Sequence, residues 1–106
     1  MSGNAKIQPP RIPKQLTPVR DEIKRERYFQ TASITDTEIN DVSSEKICFD
    51  KSVFKNVIFK NVSFRWIELT DVLFDNCDLS NADFSNAIIH RTEMKRCKLL
   101  GINLSE

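Results

Sequence analysis

The chain has 106 residues with 16 basic and 15 acidic side chains, a net charge of +1, and only two glycines. That length suits one domain. The near-cancelling charge argues against a general nucleic-acid binder, two glycines leave no room for a Gly-rich phosphate loop, and no apolar run is long enough to cross a bilayer.

Residues 1–16 hold Pro9, Pro10 and Pro13 and lack the apolar stretch of a secretory signal. They are expected as an extended or disordered Pro-rich tail. Residues 17–29, "TPVRDEIKRERYF", suggest one short helix. Thr17 can cap it, Pro18 suits the first helical position, and Asp21 and Glu22 fall in the first turn, where the helix dipole favours acids. Val19 and Ile23 form a stripe too thin to stand alone, so this helix should lie against the rest of the chain as a cap. Residues 1–29 carry seven basic and three acidic groups, whereas residues 30–106 carry nine basic and twelve acidic ones. The shift in composition marks a boundary near residue 30.

From Phe29 onward the chain repeats every five residues. Fifteen of the sixteen positions Phe29, Ile34, Ile39 and so on to Leu104 are large and apolar, Ser44 being the exception. The residues two before each, from Ala32 to Ile102, are uncharged and no larger than Ile. All 21 charged residues of the region fall on the other three positions, where random placement would leave about 8 of them on these two. A flat strand would send residues five apart to opposite faces. An α-helix would spread them around its axis. The consistent solution is a short extended segment that buries two residues, bends, and repeats, so that the chain coils about an axis. Asn56, Asn61, Asn76, Asn81 and Asn86 lie just outside the core. Asn tolerates the left-handed backbone of tight turns, which allows many corners with almost no glycine.

The stretches "ADFSN" (82–86), "CDLSN" (77–81) and "INLSE" (102–106) resemble the repeat of the pentapeptide-repeat family, Ala-Asp/Asn-Leu/Phe-x-x. The resemblance covers residues 30–106. It implies a right-handed quadrilateral β-helix of about four coils, roughly 19 Å tall at ladder spacing, with residues twenty apart stacked. The implied core stacks are Phe49 on Leu69 on Ile89, Phe54 on Phe74 on Met94, Phe59 on Leu79 on Leu99, and Phe64 on Phe84 on Leu104. Ser44 should make the first coil less regular. Such a coil exposes unpaired strand edges at its ends. The sequence stops inside a repeat, so we expect a fragment of a longer protein, or an end buried by a partner or by a second copy in a homodimer.

No catalytic, cofactor-binding or metal-binding residues are expected. His90, the only histidine, falls on an outward position without a nucleophile partner. Cys77 and Cys97 are twenty apart, within reach of a disulfide if stacked, but the slot wants a small apolar residue and free Cys serves as one. With Cys48 they make an odd number without metal-type spacing, which points to reduced thiols in a cytoplasm. The acid pairs Asp78 with Asp83 and Asp71 with Asp75 are expected on a solvated face. The outward apolar residues Val53, Ile58, Trp66, Leu73, Ile88 and Leu100 form the candidate partner surface. The expected function is a non-enzymatic scaffold that binds a protein partner, with no direct nucleic-acid or membrane contact. The resemblance implies one alternative, that of bacterial members that bind DNA gyrase or topoisomerase IV as DNA mimics and protect against quinolones. Lys55 and Lys95 flanking Asp75 depart from a mimic's acidic surface.

Overall fold

A computed structural model describes residues 8–105; residues 1–7 of the expected tail, and Glu106, lie outside the described residues. The described chain is a β-solenoid of about three turns. Seven strands form one parallel sheet that winds on itself: β1 (Thr17–Pro18), β2 (Tyr28–Gln30), β3 (Ala32–Ser43), β4 (Cys48–Ser63), β5 (Glu68–Asp75), β6 (Ile88–His90) and β7 (Glu93–Lys95). Pairing between successive turns keeps one offset of twenty residues. Phe29 lies opposite Phe49, Phe54 opposite Phe74, Leu69 opposite Ile89, and Phe74 opposite Met94.

The offset is set at the corners. Every fifth residue from Thr31 to Gly101 has a positive φ, between 44° and 78°. An L-residue in this region costs about 1–2 kcal/mol, least for Asn and Asp, whose short side chains bond locally. Eight of the fifteen corners are Asn or Asp. They also bond along the axis: Asn56 donates to Asp36 (2.7 Å), Asn76 to Asn56 (2.8 Å) and Asn61 to Asp41 (2.8 Å). Each ladder begins on an Asp because its first member needs only to accept, whereas a middle member must also donate. Gly101 is a separate case. A Cβ there would lie 2.2 Å from Asn81 Oδ1, at φ +78°. Gly101→Ala is therefore expected to cost about 1–2 kcal/mol, read as a lower urea midpoint.

The recurrent Asp or Asn before a large residue has its own local duty. Asp78 accepts from the Ser80 N–H, Asp83 from that of Ser85 and Asn103 from that of Ser105, each at 3.0 Å. The Ser80 and Ser85 hydroxyls are the main reason that the carboxyls of Asp78 and Asp83 sit below the usual range, and these backbone bonds add to the effect. Polar residues in the small inward slots are satisfied in a similar way. Ser52, Cys77, Thr92 and Cys97 each donate to the carbonyl two residues earlier.

Phenylalanines fill the interior. Phe54 and Phe74 stack with ring centroids 4.6 Å apart and planes within 6°, Phe29 and Phe49 do so at 5.0 Å, and Phe49 meets Phe54 edge-on. Phe49, Phe54, Phe59, Phe64, Leu69, Phe74, Leu79 and Phe84 are all buried. The last expected level differs. Ile89, Leu99 and Leu104 are 40–47% exposed and Met94 is half-buried. Nothing among the described residues stacks above them, so about three turns are closed where about four coils were expected. The first coil, by contrast, is regular. β3 runs for 12 residues, and Ser44 is half-buried with its N–H bonded to the Ser63 carbonyl. Main-chain pairing to the next rung holds this coil in place without a large side chain at position 44.

The helix expected over residues 17–29 is not formed. Thr17 and Val19 donate to the carbonyls of Thr31 and Ser33, so β1 pairs along the edge of β3. Pro18 has no N–H to place, which suits an edge strand. One turn of 3-10 helix comes next at Asp21–Lys24, with Ile23 buried in the core and bordering a small cavity with Ile34 and Ile39. An edge lined by unpaired backbone groups outweighed the helical preference of a segment with a two-residue apolar stripe. The N-terminal end is thus covered by a strand and a plug. No helix of the described residues is long and apolar enough to cross a membrane.

Candidate functional site

Trp66 stands out by residue type, as the one aromatic among fifteen corners that share the left-handed backbone. It occupies a corner with φ 63°, where the corners twenty residues either side are Lys46 and Asn86, and its side chain is 45% exposed. A bulky aromatic in the left-handed region carries a steric cost that Asn largely avoids. Trp66, Asn86, Ala87 and Ile88 line one shallow hollow, and Ile88 is itself 44% exposed. Register puts Ile88 in the column of Cys48 and Glu68.

The other outward apolar residues are dispersed. Val53 and Leu73 are ladder partners, both half-buried, between Ser33 and Glu93. Ile58 is 38% exposed between Glu38 and Asp78, and borders a second hollow with Asn56, Cys77, Arg96 and Lys98. Leu100 is 86% exposed and does not line the Trp66 hollow. Of the six candidates, the fold joins Trp66 to Ile88 and Val53 to Leu73, and leaves Ile58 and Leu100 apart.

One polar cluster was not foreseen. Asp71, expected on a solvated face with Asp75, is buried. Arg91 grips it with two parallel bonds, Nε to Oδ1 at 2.7 Å and Nη2 to Oδ2 at 2.9 Å, and the backbone N–H of Arg11 donates to Oδ1 at 3.0 Å. The Arg91 bonds are the main reason the carboxyl sits low, at about 2, with the Arg11 N–H adding to them against the opposing effect of burial. The twenty-residue spacing of Asp71 and Arg91 was a signal that could have been read. The Arg11 contact, sixty residues away, had none. Asp75 meets Arg96 instead of Asp71.

The thiols are quiet. All three cysteines are free, and burial pushes Cys77 up to about 11, leaving it protonated. Cys48 is raised by burial and by the nearby Glu68 and Asp50. His90 is exposed opposite Thr70. Among the described residues no group of three or more His, Cys, Asp or Glu side chains could hold a metal ion.

Charge is sorted along the axis. Counted from one corner to its equivalent twenty residues on, residues 31–50 carry five acids against Lys46, and residues 51–70 carry Lys51, Lys55, Lys60 and Arg65 against Glu68. Residues 71–90 carry Asp71, Asp75, Asp78 and Asp83 with no Lys or Arg, and residues 91–105 carry Arg91, Lys95, Arg96 and Lys98 against Glu93. With Glu106 included in the last rung, net charge runs −4, +3, −4, +2. Ion pairs cross between successive rungs: Lys60 with Glu38 at 3.5 Å, Arg65 with Glu45 at 3.9 Å, Arg91 with Asp71, and Arg96 with Asp75.

Comparison with known proteins agrees with this geometry. The family model for pentapeptide repeats matches residues 67–105 in eight copies. No curated protein matches the chain. The left-handed corners carry the same five-residue register back from the matched segment to Thr31. With large inward residues at every fifth position and rungs twenty residues apart, residues 67–105 are pentapeptide repeats, and the segment from Thr31 shares their register.

Proposed function

We propose that this chain is a non-enzymatic protein-interaction scaffold, a rigid solenoid that presents Trp66 and Ile88 to a protein partner. The observation that carries this reading is the Trp66 corner. A tryptophan is held, half-exposed, at a backbone position where Asn is the recurrent occupant. Strain of this kind costs about 1–3 kcal/mol. An exposed aromatic on a backbone that does not have to be ordered on binding is an efficient anchor. From the family we carry over the right-handed winding and a bacterial, cytoplasmic setting, with which three free thiols agree.

Trp66→Asn is expected to raise stability by about 1 kcal/mol, a gain of roughly 4–8 °C in Tm, while abolishing partner capture. Ile88→Asp should abolish capture as well. Affinity capture quantified against wild type, alongside thermal melts, checks both. If the two variants retain the partners of wild type, the surface is misassigned.

DNA mimicry of the kind that binds DNA gyrase or topoisomerase IV needs continuous surface acid, and here acidic rungs alternate with basic ones. A supercoiling assay with purified gyrase, with and without a quinolone, is expected to show neither inhibition nor protection. Either effect would favour the mimic over the scaffold.

A further inference from the structure

The segment before residue 28 does not follow the coil. Ten residues separate Pro18 from Tyr28, against fifteen between their ladder partners Ser33 and Cys48, so residues 19–27 take a short cut past the buried Ile23. Upstream of Thr17 the chain turns along the axis. The Thr17 N–H bonds the Thr31 carbonyl, and the Arg11 N–H reaches the Asp71 carboxyl at 3.0 Å. Thr31, Lys51 and Asp71 are corners of one column, so residues 11–16 run down its outer side as a strap. This column is shielded accordingly. Lys51 is half-buried and Asp71 buried, whereas Asn56, Asn61 and Trp66, the corners level with Lys51, are exposed. Within the strap, Pro10, Ile12, Pro13 and Leu16 are half-buried, while Arg11 and Lys14 are exposed. From Gln8 to Leu16 the Arg11 N–H makes the one hydrogen bond to the solenoid among the described residues.

We propose that the Lys51–Asp71 column is a peptide-binding surface, filled in cis by the strap, that takes a basic, proline-containing segment of a partner protein in the strap's place. The strap itself shows the chemistry of that occupant. Prolines hold the backbone extended, so little entropy is lost on docking. One backbone N–H must meet Asp71, a charge-assisted bond stronger than a neutral one. A cation beside it favours the ionised carboxylate, as Arg11 does here. The surface remains ready when the strap lifts, because Arg91 still grips both Asp71 oxygens and keeps them ionised and aimed. A tethered strap has an effective concentration of the order of millimolar, so a free segment competes poorly until the strap is loosened. This column lies one face away from the Trp66 corner and stands or falls independently of that surface.

The probe is a dye-labelled synthetic peptide that copies residues 8–16, titrated into the full chain and followed by fluorescence anisotropy. Arg11→Pro removes the strap's N–H and leaves the solenoid untouched. This variant is expected to bind the peptide at least tenfold more tightly than wild type does. A peptide carrying the same Arg11→Pro change should bind the variant at least tenfold more weakly than the unmodified peptide. As a second measurement, which needs no variant, the Arg11 amide of the isotopically labelled wild-type chain should exchange with solvent at least tenfold faster under saturating unlabelled peptide. Trp66→Asn should leave both readouts unchanged. Equal affinity of wild type and Arg11→Pro, binding to neither, equal binding of the two peptides, or an Arg11 amide whose exchange the peptide does not alter would overturn the proposal and make the strap a fixed part of the fold.

Discussion

Phe74→Ala is expected to cost about 3–5 kcal/mol, the usual range for truncating a fully buried aromatic ring. Phe74 is 0% exposed, stacks on Phe54 at 4.6 Å, approaches Phe59 at 6.3 Å and lies opposite Met94. It therefore supports its own rung and the rungs on both sides. In a solenoid, stability is a sum of rung terms and neighbour interfaces, so a cavity here weakens two interfaces together. The neighbouring backbone cannot collapse into the gap, because ladder pairing fixes the separation of the rungs. Met94→Ala, on the half-buried last level, should cost about 1–2 kcal/mol, since much of its side chain remains in water. Urea denaturation of the two variants checks the ranking. A double-mutant cycle of Phe54→Ala with Phe74→Ala should return a coupling of about 0.5–1.5 kcal/mol for the stacked pair. A loss below about 1 kcal/mol for Phe74→Ala would contradict a packed column of rings.

Asp71→Asn is expected to cost about 1.5–3 kcal/mol, the range for hydrogen bonds to charged groups. The amide keeps the shape and can still accept from the Arg11 N–H, but it meets Arg91 without charge and with only one acceptor oxygen. The pH dependence has a definite sign. The folded carboxyl sits at about 2, below an unfolded Asp near 3.9. Its contribution is therefore complete above about pH 4 and is lost as pH falls through about 2. The difference in urea midpoint between wild type and Asp71→Asn should accordingly shrink on acidification through this window. Asp78 and Asp83, also lowered, titrate in both proteins and cancel in the comparison. A difference that stays constant down to pH 2 would show that the carboxylate charge plays no part. Because the Arg11 N–H bonds the same carboxyl, limited proteolysis of residues 8–16 should also quicken in Asp71→Ala, which removes both acceptors.

Phe74 and Asp71 differ in how visible their roles are along the chain. Phe74 is legible because its role follows from a count of five. So are the inward slots at Ser52 and Cys77, and the tendency of Asn56, Asn61, Asn76, Asn81 and Asn86 to turn corners. Carried two residues further, the same count puts Trp66 and Asp71 on corners. Residue type marks Trp66 as an exposed aromatic and masks the strained backbone beneath it. At Thr17–Phe29, capping residues and a dipole-matched charge pattern describe a helix that could form, and β3 offers a better bargain to the same backbone.

What this sequence determined by itself was the periodic part: which residues face in and where the chain bends, while the stacking of residues twenty apart was implied by the family resemblance. Those features depend on steric and apolar preferences that each five-residue unit carries locally. Only the tertiary structure decided that Thr17–Pro18 adds a strand where a helix was expected, and that Asp71 is buried between Arg91 and the backbone of Arg11. Each of these depends on which distant groups arrive at an edge or a corner. Hydrogen bonds and burial there are settled by the neighbour in space, which local pattern does not name.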